Sequence, residues 1–209
     1  MAFTNPLTWV ASQLVTAALL NQQVRDNLSA LWVGTSAGDT DYYTGSNSKS
    51  RLAKGSARAQ YRMNAAGTAP EWGNAIQARV ISTAVQTITK DTYTDLTFDI
   101  ELEDTNSFWV VGSPTIFTIP YTGVYMYGCR VIYNTNSTGI RITTISATSG
   151  GSPTDARNSV VGSSTNVTLN AVGRLSAGST IKVIVWQNSG GDLDTSANSA
   201  YMWATFLGN

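Results

Sequence analysis

The sequence lacks histidine altogether and has a single cysteine, Cys129, among its 209 residues. Without histidine, the chain cannot form a Ser-His-Asp triad, a histidine-ligated zinc site or a histidine general base. With one cysteine, it can form neither an internal disulfide nor a cysteine-rich metal site. Most hydrolase mechanisms are therefore excluded, and we predict a protein that is not an enzyme, with no catalytic residue, cofactor or metal.

Charge and long apolar runs are scarce as well. Only 12% of the residues are charged, and thirteen basic side chains balance thirteen acidic ones. A neutral chain has no overall field that would attract nucleic acid or an anionic membrane. No apolar run approaches the roughly 18 residues of a membrane span, and the N-terminus lacks the features of a signal peptide. We therefore expect a soluble protein made in the cytoplasm, with no nucleic-acid binding and no membrane insertion.

The sequence is instead rich in turn-forming residues and in short segments that alternate apolar and polar residues. Low charge together with abundant Gly, Ser, Thr and Asn favours sheets joined by many turns. From about residue 79 onward, short runs such as TFDIELE alternate apolar with polar residues, and turn segments such as NSGGD separate them. We find no helix between these runs and no internal repeat, so the pattern predicts a β-sandwich or barrel over 79–209.

Residues 16–32 predict the one convincing α-helix. Thr16 is a suitable N-cap, and apolar residues recur at spacings of four, four and three. They form one narrow stripe: Leu20, Val24, Leu28 and Leu31. So small a stripe buries too little apolar surface to offset the entropy of ordering the helix. We therefore expect it to pack on copies of itself or on another protein.

The segment between helix and strands, residues 35–78, is rich in turn formers and predicts an extended, irregular linker. It contains a run of basic residues with no acidic residue inside the run: Lys49, Arg51, Lys54, Arg58 and Arg62. A solvated linker explains such a run better than docking on an acidic partner. The domain plan is thus a helical segment at 1–34, a linker at 35–78 and a β head at 79–209.

Three patterns resemble catalytic or metal sites, but each has a simpler explanation. GTSAG at 34–38 matches a serine-nucleophile motif, yet its strand-to-helix context is reversed and no histidine base exists. Asp192 and Asp194 offer too few oxygens for calcium and are typical of turns. Glu101 and Glu103 share the polar face of one predicted strand, so they do not resemble a glycosidase pair.

The motif FTIPYTGVYMYGCRVIY at 117–133 resembles the strand of the tumour-necrosis-factor and complement globular-head superfamily in which a Pro and Gly turn precedes a G-x-Y strand. Gly123 and Tyr125 carry this match. Residues 169–193 resemble the later pair of strands of that superfamily, and residues 201–209 resemble its closing strand.

This resemblance covers roughly residues 79–209, and it implies a ten-strand jelly roll that assembles as a tight threefold homotrimer. Ser179 stands where the superfamily has an aspartate. Large apolar strand faces are expected to form the trimer interface, because closed symmetry would hide them. The candidate interface residues are Tyr125, Tyr127, Trp186, Tyr201, Trp203 and Phe206.

The N-terminal segment LTWVASQLVTAALLNQQVRDNLSALW is similar to the N-terminal anchors of structural proteins of tailed bacteriophages. The matching residues are Trp9, Thr16, Asn21, Val24, Arg25, Asp26 and Asn27. RLAKGSARAQYRMNAAGTAPEWG at 51–73 likewise resembles a segment of phage fibre proteins, with Arg62 and Met63 replacing the usual apolar pair. Both resemblances imply a virion protein.

Together these features predict a homotrimeric structural protein on the virion surface, synthesised in the bacterial host. Residues 1–34 would attach it to phage capsid or tail proteins, and the head would be exposed as a capsid decoration or short head fibre. A flexible linker of this length spans about 35 to 40 Å on average, far less than the shaft of a long tail fibre. The alternative is a receptor-binding tail fibre or tail tip that recognises a host surface glycan or protein through exposed aromatic residues.

Overall fold

The computed structural model describes residues 7–46, 48–149, 154–159 and 164–208, with the backbone alone for 154–159. The chain divides into two compact units, Met1–Asn74 and Ala75–Asn209. The second unit therefore begins slightly before residue 79, where the sequence analysis placed the head.

The first unit begins with a helical run that has three parts: α1 (Ala17–Leu20), a π-helical turn (Asn21–Asp26) and α2 (Asn27–Leu31). The hydroxyl of Thr16 accepts a hydrogen bond from the N–H of Leu19 at 3.2 Å, so Thr16 is the N-cap that the sequence predicted. The run is helical over the predicted length, but its middle is not α-helical. The wider π turn changes the angular spacing of the apolar stripe.

Four strands follow the helix: β1 (Thr40–Gly45), β2 (Ser48–Leu52), β3 (Gln60–Met63) and β4 (Pro70–Gly73). Strand β1 pairs with β2, and β3 pairs with β4, both antiparallel. The structure thus corrects the expectation of an irregular linker. The turn formers that suggested irregular chain instead close two hairpins, whose strands are too short to give a clear alternation.

The second unit contains the remaining strands of the described chain. They are β5 (Gln77–Ser82), β6 (Thr87–Ile88), β7 (Thr94–Asp95), β8 (Ile100–Asp104), β9 (Ile116–Thr118), β10 (Gly123–Tyr133), β11 (Ile140–Ala147), β12 (Thr154–Ser159), β13 (Thr165–Leu175), β14 (Thr180–Gln187), β15 (Leu193–Asp194) and β16 (Ala200–Gly208). The first sheet has the order β13-β10-β16-β5-β8, and the second has the order β12-β11-β14-β7, with β9 also paired to β14. All of these pairings are antiparallel.

The core of the second unit lies between the two sheets. Alternate residues of β10 and β14 are fully buried, and they join one apolar cluster with buried residues of β5, β13 and β16. Because burial alternates along the strands, each sheet also has one face that points away from the core. The mostly β, jelly-roll sandwich predicted for this part of the chain is what the structure shows.

Candidate functional site

A groove crosses the outward face of the first sheet. On β16, Tyr201 and Trp203 alternate with the buried Met202 and Ala204, so they point away from the core. The groove holds about 400 Å³. Its lining residues are Gln77, Ala78, Arg79, Glu103, Arg130, Thr168, Tyr201, Trp203 and Thr205.

Gly128 sets the position of Trp203 in this groove. It lies opposite Trp203 in the pairing of β10 with β16. A Cβ atom at Gly128 would lie 2.5 Å from the indole of Trp203 and would also collide with the backbone oxygen of Leu169. The missing side chain therefore allows the indole to lie against strand β10, where it forms part of the groove floor.

Charged side chains flank the aromatic pair. The guanidinium of Arg79 lies 5.1 Å from the ring centroid of Tyr201, a cation–π distance. Glu103 accepts a hydrogen bond from the side-chain amide of Gln77 at 2.7 Å. Neither Arg79 nor Arg130 forms an ion pair with any other residue that the structure describes. The groove therefore offers aromatic surface, two unneutralised cations and one carboxylate.

The structure brings together only two of the six predicted interface residues, Tyr201 and Trp203. Tyr125 and Tyr127 are 0% and 1% exposed within a single chain, so they belong to the core and not to an interface. Phe206 also faces the core, since it has the parity of the buried residues of β16, and its ring lies 5.2 Å from that of Tyr125.

Trp186 is outward-facing but lies on the other sheet. Its neighbours on β14, Val185 and Gln187, are fully buried. The ring centroids of Trp186 and Tyr93 lie 6.3 Å apart, and the two ring planes are tilted by 35°. Trp186 and Trp203 are therefore on opposite faces of the sandwich. No single face of the sandwich contains both of these predicted interface residues.

The apolar stripe of the helix forms a second candidate surface. Leu20 and Val24 are both 48% exposed, Leu28 is 54% exposed and Leu31 is 46% exposed. All four side chains are thus about half exposed in the single chain, although the π turn, which contains Val24, alters their angular spacing.

The sequence analysis missed Arg79, Arg130 and Gly128. A signal for Arg130 was available, because it is a cation inside a strand whose other residues are almost all apolar or aromatic. Arg79 and Gly128 gave none, since their importance depends on cross-strand register. Register is a tertiary property that one strand's sequence does not contain.

The other patterns resolve into local structure. The Ser36 N–H in GTSAG donates to the carboxylate of Asp39 at 2.8 Å, as in a turn. Asp192 accepts from a backbone N–H and Asp194 from a threonine hydroxyl. Burial raises the pKa of the Cys129 thiol to about 12, so it is no nucleophile. In the part of the chain that is described, no three metal-binding side chains gather, and no helix is long and apolar enough to cross a membrane.

Comparisons with known proteins match only solved structures; no family model and no curated protein matches the chain. Murine APRIL at pH 5.0 has 13% identity and a TM-score of 0.50, covering 64% of this chain and all of that one. The second unit is a TNF-like jelly roll. The globular domain of zebrafish complement 1qA protein has 18% identity and a TM-score of 0.46, covering 63% of this chain and 95% of that one. Eiger TNF from S. frugiperda has 15% identity and a TM-score of 0.44, covering 65% and 94%.

Proposed function

We propose that this protein is a non-enzymatic, homotrimeric surface protein of a tailed-bacteriophage virion, a capsid decoration or short head fibre attached through its N-terminal helix. The observation that carries the proposal is the uncovered stripe of Leu20, Val24, Leu28 and Leu31. A short helix with such a stripe gains most of its stability from packing against another surface. The resemblance of residues 7–32 to phage anchors supports the virion as that surface.

The outward face of the first sheet supports trimer formation by the jelly roll. Beside Tyr201 and Trp203 it carries Met126, which is 39% exposed, and Val172, which is 66% exposed. A closed symmetric assembly would hide this apolar face from water. The same face carries both signs of charge, with Arg79 and Arg130 beside Glu103, so opposite charges of neighbouring copies can pair there.

Attachment is tested by adding purified protein to phage particles that lack it and measuring co-sedimentation. Full-length protein is expected to bind, whereas Leu28→Asp should lose binding because it would bury an unpaired carboxylate in the interface. Gln22→Asp places the same charge at an exposed polar position of the same helix and should bind normally. Sedimentation equilibrium should give a trimer for all three proteins. Equal particle binding by Leu28→Asp and Gln22→Asp, or a monomeric full-length protein, would refute the proposal.

A receptor-binding tail protein is the second candidate, and the open groove favours it. Trp203 and Tyr201 beside Gln77 and Glu103 combine aromatic rings with hydrogen-bonding groups, as sugar-binding surfaces do. Binding of the purified protein to host cells separates the two functions. A decoration should not bind cells, whereas a tail-tip protein should bind them and lose that binding on Trp203→Ala.

A further inference from the structure

Two turns in the first unit have the same structure twenty residues apart. The carbonyl of Ser36 accepts a hydrogen bond from the N–H of Asp39 at 3.1 Å, and the carbonyl of Ser56 accepts one from the N–H of Ala59 at 3.1 Å. Each serine is followed by an alanine in the sequence. The two turns therefore share both sequence and hydrogen-bond geometry.

The same offset continues into the strands. The third residue of each turn has a positive φ, which is 91° at Gly38 and 66° at Arg58. Two residues later a strand begins, β1 at Thr40 and β3 at Gln60. Positive φ is uncommon for a residue with a side chain, so its recurrence at Arg58 marks a turn that the fold imposes.

The hairpin loops follow the offset too. The hydroxyls of Thr44 and Ser48 lie 2.8 Å apart across the first loop. Twenty residues on, the side-chain amide of Asn64 donates to the hydroxyl of Thr68 at 3.1 Å. A turn, a strand, a hydrogen-bonded loop and a second strand thus occur twice in the same order. Residues 34–73, here called the stalk segment, therefore contain two structural repeats. The sequence analysis found no repeat because the two copies share almost no residue identity beyond the Ser-Ala pairs.

Neither repeat has a core of its own. Among the described residues of the first unit, no apolar side chain is buried. Tyr43 is 73% exposed, and Tyr61 and Met63 are each 53% exposed. An isolated two-stranded hairpin is at best marginally stable in water, and repeat structures become stable when neighbours cover their apolar surfaces. The stalk segment therefore needs another surface.

Ion pairs inside the hairpins identify what kind of surface fits. The pairs are Lys49–Asp41 at 2.6 Å, Arg51–Asp39 at 2.7 Å and Arg62–Glu71 at 2.9 Å. Three cations of the basic run are thus neutralised within the chain, so the run is not a free cationic surface for an acidic partner. Of the charged side chains at 34–73, only Lys54 and Arg58 lack an ion pair in the described structure, and the other exposed side chains are neutral. Identical copies can therefore pack the apolar side chains together with little charge repulsion.

We propose that the stalk segment forms two repeats of a stalk that is completed by the same residues in other copies of this chain. The proposal rests on the self-association in the proposed function, but not on virion attachment. The proposed stalk is an ordered structure and not a flexible tether.

The test is amide hydrogen exchange across β1 to β4 in the purified full chain, at a concentration where sedimentation shows the assembled form. We expect exchange at least about tenfold slower than in an unprotected chain, and loss of this protection in Met63→Asp. The control is Ala65→Asp, which adds the same charge in the exposed hairpin loop, and exchange in β10 serves as an internal reference. Fast exchange in the assembled wild type, or equal protection in Met63→Asp and Ala65→Asp, would overturn the proposal.

Two further outcomes separate failure of the stalk from failure of the proposed function. Trimeric, particle-binding protein with unprotected hairpins would overturn the stalk alone. Hairpins protected only after binding to particles would show that a virion protein, and not a second copy, covers them. Hairpins protected equally in dilute monomer would show that one chain suffices, which also contradicts the proposal.

Discussion

At the scale of single residues, Gly128 connects the fold to the groove. Its backbone is extended, so the requirement for glycine is one of space and not of backbone conformation. The space is occupied by the Trp203 ring, and the carbonyl of Leu169 closes it from the other side. A methyl group at this position would force one strand of the first sheet to shift.

We expect Gly128→Ala to destabilise the second unit by about 1 to 3 kcal/mol, the usual cost of overpacking. Displacement of the Trp203 indole should also weaken trimer formation. Gly112→Ala is the matched control, because a Cβ atom there would meet no heavy atom within 4 Å. Urea unfolding and sedimentation equilibrium of the two variants provide the measurements. Equal stability of both would show that the first sheet accommodates the methyl group.

Asp39 is the residue that organises the first repeat. Its carboxylate accepts hydrogen bonds from the N–H groups of Thr35 at 2.8 Å, Ser36 at 2.8 Å and Lys54 at 3.1 Å, and from Arg51 at 2.7 Å. The hydrogen bond from Arg51, followed by that from Thr35, holds the pKa of Asp39 well below its ordinary value of 3.8. Both flanks of the first hairpin thus depend on one ionised side chain.

A lowered pKa means that the folded turn binds the ionised form preferentially, so protonation opposes folding. The stabilisation is complete above 3.8, the ordinary pKa, and is lost as the pH falls toward the lower pKa of the folded state. The amide NMR signals of Thr35 and Ser36 should therefore titrate only below pH 3.8. In Asp39→Asn this titration should disappear. Signals that titrate at or above the ordinary value would show that the carboxylate is not held in this way.

At the scale of elements, the sequence predicts strands better than it predicts their faces. Strand β10 is found where the resemblance placed it, yet Tyr125 and Tyr127 were expected at an interface and lie in the core. Alternation shows which residues share a face, but both faces of this strand carry large side chains. Which face is inward depends on the second sheet, and a local pattern does not contain that information.

Around strand β8 the alternation is clear, but the burial that it predicts is only partly found. Phe98, Ile100 and Leu102 alternate with acidic residues, which predicts one buried apolar face. Phe98 is buried, but Ile100 and Leu102 are 45% and 48% exposed. Strand β8 is the edge strand of the first sheet, and its register with β5 shifts between Arg79 and Val80. An irregular edge pairing of this kind removes side chains from the core that their spacing assigned to it.

At the scale of the whole molecule, one chain leaves apolar side chains exposed on three surfaces: the helix stripe, the stalk segment and the outward face of the first sheet. The second unit has a large core and can be stable as a single chain, whereas the described residues of the first unit bury no apolar side chain. The two units should therefore differ in how far their stability depends on assembly. Composition and resemblance predicted the head, but the hairpins were missed because their strands are too short to give a clear alternation.

Breaking the interface of the head should consequently unfold the first unit and spare the second. We expect Trp203→Glu to give a monomer, since it places a carboxylate on the proposed trimer face. Without assembly, the effective concentration of neighbouring stalk segments falls, so the first unit should lose its cooperative melting transition. Trp186→Glu makes the same chemical change on the opposite face and should remain a trimer with both transitions. Calorimetry with sedimentation on each variant decides the matter. A monomeric Trp203→Glu protein that keeps a cooperative first-unit transition would show that the hairpins are stable without partners, and two trimeric variants would place the interface elsewhere.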